Sequence, residues 1–252
     1  MVTLNNPSRL QLNHENEQHT MTSETASEEL NVILYIHGFR GSKHSFAQLP
    51  ADVERSVNCR LGEQRVDSLV PIFPRIQCWQ EVETAAVDLC NHLRQLALGP
   101  SADQADPSGS AVPTKNVHVV MIAHSMGGLV VADALHIFME STHPHHVSGI
   151  DDAIIPLGVI TLDTPYFGLS KDVLAKYTEP PAQRANENRK CNFVSVPAKL
   201  PLDVVQCFTA VDTTLACPVD AHARMVERSA GESAYATLLA DVADAIVEWL
   251  HA

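Results

Sequence analysis

Apolar residues along the chain fall into two kinds of run, and the two alternate. Residues 31–36 (NVILYI), 117–123 (VHVVMIA) and 157–162 (LGVITL) are short and almost continuously apolar. Such runs predict strands buried on both faces. Residues 66–73, stopped by Pro74, and 204–211 read as two further strands. Between the strands the period changes. Val82, Ala86, Leu89, Leu93 and Leu96 recur at helical spacing, as do Leu239, Val242, Ile246 and Trp249. Each set makes one apolar face of a helix. Residues 129–139 are apolar on nearly all sides, which predicts a buried helix with His136 inside it. Strands alternating with helices predict an α/β fold, a mostly parallel sheet with helices on both faces.

Two stretches interrupt that alternation. Residues 1–28 contain no aromatic side chain and are dominated by Ser, Thr, Asn, Gln, Glu and His. They cannot bury enough apolar surface to offset the entropy of ordering, so a disordered tail is expected. Residues 29–252 then form one domain. Residues 99–114, dense in Pro, Ser and Gly, read as a long loop.

Charge and cysteine usage narrow the function classes. The net charge is −13, which excludes the basic footprint of a nucleic-acid surface and an electrostatic grip on anionic lipid. No run of 18 apolar residues is present, and the N-terminus lacks a basic patch followed by an apolar run. The expectation is no transmembrane segment, no signal peptide and a cytoplasmic location. The six cysteines form no C-x-x-C pair, so free thiols are expected rather than a zinc ribbon or redox dithiol.

The stretch richest in chemistry is Ala123-His124-Ser125-Met126-Gly127-Gly128. It lies between a predicted strand and a predicted helix, the context of a nucleophile elbow. Small residues flank the serine because strand and helix backbones approach closely there. His37-Gly38-Phe39, at the end of the first strand, is the second signal. In this architecture the amides of Phe39 and Met126 would hold an oxyanion. The base should be a histidine, which suits neutral pH, and should follow the serine and the acid in the chain. His124 is expected to point away from the site. His143, His145 and His146 read as a polar loop after a helix rather than as metal ligands. His222, between the last strand and the closing helix, is the remaining candidate. For the acid three residues compete. Asp163 directly follows residues 157–162 and is preferred, Asp212 follows the last strand, and Asp220 lies two residues before His222.

These motifs together, ILYIHGFRGS, AHSMGGLV, LDTPYFGL and VDAHARM, resemble the lipase-like serine esterases of the α/β-hydrolase superfamily. The likeness is to a fungal-type group related in motif to the GPI inositol-deacylases. The resemblance implies Ser125 as nucleophile and His222 as base, leaves the acid open, and departs from the usual pattern in having Ala123 where glycine is common. It implies a small-molecule or lipid ester as substrate, cleaved through an acyl-enzyme without metal or cofactor. Only residues 166–192 are available for a lid. The competing readings are a catalytically silent binding scaffold and an acyltransferase.

Overall fold

The computed structural model describes residues 28–38, 41–42, 44–62, 65–69, 82–99, 112–164, 189–195, 206–211, 222 and 224–251. Among these the chain order is β1 (Glu28–Ile36), α1 (Leu49–Leu61), β2 (Asp67–Leu69), α2 (Val82–Leu98), β3 (Lys115–His124), α3 (Gly127–Met139), β4 (Ile154–Leu162), β5 (Arg189–Ser195), β6 (Gln206–Val211) and α4 (Glu232–His251). The strands form one sheet in the order β2-β1-β3-β4-β5-β6. The four strands from β2 to β4 are parallel. β5 runs against both of its neighbours, which leaves β6 pointing the same way as β4.

Alternation of side chains along the central strands divides the core into two layers. Val32, Leu34 and Ile36 of β1, with Val117, Val119, Met121 and Ala123 of β3, pack under α2 and α3. Ile33 and Tyr35 of β1, with Val120 and Ile122 of β3, pack under α1 and α4. Because both faces are covered, the strands are apolar at nearly every position, the feature that made them readable. Truncating a fully buried Leu89 or Leu93 to Ala should cost about 2–5 kcal/mol. The second layer is also stitched by polar contacts. The buried Asp52 of α1 accepts hydrogen bonds from Tyr235 Oη of α4 at 2.6 Å and from Arg228 at 3.0 Å.

The structure adds to the sequence reading and changes it. α1, a helix not predicted above, carries Leu49, Val53, Val57 and Leu61 on one narrow buried stripe. Pro50 sits in its first turn, where proline is tolerated. α3 is not buried all round. Ala132, Asp133, His136 and Met139 form an exposed face, and His136 pairs with Glu140 one turn on. β5 begins inside the span assigned to a lid, at Arg189. Glu28, placed in the tail, already pairs with Lys115 as the first residue of β1. The rest of that tail and the segment 165–188 lie outside the described residues. Cys59 and Cys90 are free thiols. No helix among the described residues is long and apolar enough to cross a membrane.

Candidate active site

Parallel pairing brings the ends of three central strands to one edge of the sheet. Ile36 of β1 is in register with Ala123 of β3, and His124 of β3 with Leu162 of β4. The residues that follow, His37-Gly38, Ser125 and Asp163, therefore emerge side by side. Ser125 remains tied to the neighbouring strand, its N–H donating to the Leu162 carbonyl at 2.9 Å.

Both Ser125 and Asp163 occupy the left-handed backbone region, with φ of 55° and 50°. Residues with a side chain seldom adopt it, and each such residue costs on the order of 1–3 kcal/mol. At Ser125 the turn is the sharp reversal between β3 and α3. It is possible only because Gly38 lies against it. A Cβ on residue 38 would sit 2.7 Å from Ser125 Cβ, 2.8 Å from the His124 carbonyl oxygen and 3.0 Å from the Met126 nitrogen. On the helix side a Cβ on Gly128 would collide with the Thr164 side chain. Met126 caps α3 at its N-terminus, so its amide lies at the positive end of the helix dipole.

His222 is held from two directions. Its Nδ1 lies 2.6 Å from Asp163 Oδ2, with both side chains partly exposed. Because an ionised carboxylate only accepts, Nδ1 carries a proton, and in a neutral ring that leaves the lone pair on Nε2. On the other side, His124 Nε2 lies 2.9 Å from the His222 carbonyl oxygen. The two imidazoles are tilted against each other with centroids 4.6 Å apart. His124 is buried. Burial above all, and then the neighbouring His222, push its pKa down to about 4. The expectation that His124 points away from the site is thus overturned. Nothing in the spacing of the sequence hints at a contact with a residue so far along the chain.

The strand ends therefore set Ser125, Met126 and Gly38 beside the hydrogen-bonded pair Asp163 and His222. Phe39, Asp212 and Asp220 lie outside the described residues. Val211, the residue before Asp212, ends β6, two strands and so roughly 10 Å away from β4. His37, also buried, directs Nδ1 at the Gly38 carbonyl oxygen at 3.2 Å, and the Gly41 N–H donates to the same oxygen at 3.0 Å. The histidines 143–146 belong to the loop after α3. There His146 Nδ1 is 3.1 Å from the Ile137 carbonyl oxygen, and His143 and His145 are tilted ring to ring on the surface. Among the described residues no group of three or more His, Cys, Asp or Glu side chains is arranged to hold a metal ion.

Comparison with known proteins bears on the class of chemistry. The model of the family described as "Putative serine esterase (DUF676)" matches residues 26–178. No curated protein matches the chain significantly. The matched span contains β1 to β4, with the His37-Gly38 turn, Ser125 and Asp163. It ends before His222.

Proposed function

The chain belongs to this serine esterase family, and on that premise we propose that it hydrolyses a carboxylic ester through a covalent acyl-enzyme. Ser125 Oγ attacks the ester carbonyl while His222 Nε2 takes the hydroxyl proton. Asp163 keeps the Nδ1–H tautomer in place and stabilises the imidazolium without itself taking the proton. The developing oxyanion is held by the amides of Met126 and Phe39. When the tetrahedral intermediate collapses, the C–O bond to the alcohol breaks and the alkoxide receives the proton from Nε2. Water then attacks the acyl-Ser125, giving its proton to Nε2. The second collapse releases the carboxylic acid and restores the serine hydroxyl.

One observation carries this reading. The imidazole of His222 is bound at 2.6 Å to a carboxylate at the end of β4, beside a serine strained at φ 55° at the end of β3. Residues held in such strain cluster at functional sites.

The test is labelling with a fluorophosphonate probe, followed by turnover of p-nitrophenyl esters of increasing acyl length. Wild type should be labelled and Ser125→Ala should not. Equal labelling and equal turnover by the two proteins would sink the serine mechanism. The chain-length series then reads which acyl group the pocket takes.

A further inference from the structure

The clamp on His222 has two jaws, and the mechanism above uses only one. The second is His124, the last residue of β3 and the immediate neighbour of Ser125. Its Nε2 faces a carbonyl oxygen at 2.9 Å. A carbonyl can only accept, so His124 must carry its proton on Nε2. That fixes one tautomer, in which Nδ1 has no proton to donate. The ring also backs the His222 ring, 34° from parallel. His124 is in register with Leu162, the residue before Asp163. Both jaws thus stand on one hydrogen-bonded pair of strands, and the base arrives between them from 98 residues further along the chain.

We propose that His124 is a positioning residue for the hydrolase, an inference that rests on the serine mechanism above. Its Nε2–H grips the main chain of His222 and its ring supports the imidazole, so that Nδ1 meets Asp163 while Nε2 is presented to Ser125. A histidine suits this place better than lysine or arginine would. Burial keeps His124 uncharged at neutral pH, so it donates a hydrogen bond without setting a second positive charge against the imidazolium that forms during turnover. It also fills the space behind His222 with an aromatic face, which a hydroxyl or short amide would leave open.

The experiment compares His124→Phe, which keeps the ring and loses the donor, with His124→Gln, which keeps a donor near the position of Nε2. Three quantities are read: kcat, KM, and the low-field proton resonance of the His222 Nδ1–H bound to Asp163. Misplacing a reacting group by about 1 Å costs on the order of 10²-fold. His124→Phe should therefore lose about 10- to 100-fold in kcat, with KM little changed and the resonance broadened or lost. His124→Gln should recover most of both. A folded His124→Phe with wild-type kcat and an intact resonance overturns the proposal and leaves the serine mechanism standing. A His124→Gln as impaired as His124→Phe overturns the hydrogen bond as the cause. Should Ser125→Ala turn over ester like wild type, the mechanism fails instead. Loss of the resonance in His124→Phe would still report that His124 places His222. If His124→Phe does not fold, the tautomer of His124 in wild type decides, read by nitrogen-15 correlation to the ring protons. An Nε2–H form supports the proposal and an Nδ1–H form overturns it.

Discussion

β4 has a carboxylate at each end, and each accepts a hydrogen bond at 2.6 Å. Before the strand, Asp151 takes a two-pronged contact from Arg94, Nε to Oδ1 and Nη2 to Oδ2 at 2.8 Å, and a third bond from the Val147 N–H. Its side chain is fully buried, and the left-handed turn nearby is taken by Gly149, at φ 82°. After the strand, Asp163 meets His222 where both side chains keep about a fifth of their surface exposed. There the left-handed positions are Ser125 and Asp163 themselves, residues that pay for it in strain. The distances are the same and the chemistry is opposite. A guanidinium does not give up a proton, so Arg94 and Asp151 can only hold. An imidazole can both accept and release a proton, so His222 can carry one. A short acid–base contact is therefore no mark of an active site. The partner's ability to transfer a proton, and a backbone kept in an unfavourable shape, are better marks.

The contrast can be broken most forcefully at the serine. Ser125→Ala should lower ester turnover by about 10⁶-fold, the scale seen when a serine hydrolase loses its nucleophile, with the melting temperature unchanged. Next comes the acid. Asp163→Asn should fold normally and lose about 10⁴-fold in kcat, since an amide can stabilise the wrong tautomer of the histidine. Asp212→Asn should cost little. If Asp212→Asn is the inactive variant and Asp163→Asn the active one, the acid has been misassigned. At the other end of β4 the expected loss is of stability and not of rate. Asp151→Asn leaves the Arg94 charge buried without its counter-ion, so urea unfolding should show a deficit of about 3–5 kcal/mol. The activity of the folded fraction should be unchanged.

The smallest effect sharpens the comparison through pH. His124 stays neutral in the folded protein down to about 4, against 6.5 for the ordinary side chain. Between those values the unfolded chain binds the proton more readily, so stability falls as pH drops from 6.5 toward 4. The whole drop is worth roughly 3 kcal/mol. Urea midpoints of wild type and His124→Gln, measured from pH 7 to pH 4, should diverge in slope, with wild type the steeper. Parallel curves would mean that His124 is not held neutral by burial.

What could be read from the sequence follows from what leaves a local pattern. β1, β3 and β4 are covered on both faces, so their apolar runs stand out, and α2 and α4 carry broad apolar stripes. α1 shows only a four-residue recurrence among polar side chains, too narrow a stripe to notice beside Pro50. β5 (RKCNFVS) is short and carries two charges, so it lacks the signature of the parallel strands. The turns at Ser125 and His37-Gly38 were legible because backbones that approach this closely demand small neighbours within a few residues. The choice among Asp163, Asp212 and Asp220 was not, since spacing along a chain does not say which strand ends adjoin in a sheet. His124 was misjudged for the same reason. Its partner lies beyond the reach of any periodicity.

The scattering of this site along the chain also sets a timetable. Residues 125 and 163 leave the ribosome well before residue 222, and synthesis runs at about 5–20 residues per second. The 98 residues between His124 and His222 thus correspond to a delay of roughly 5–20 s. During that time Ser125 has not yet met His222. If the proposed mechanism holds, a chain truncated before residue 222 lacks its base and should show no ester turnover, however well its first four strands pair.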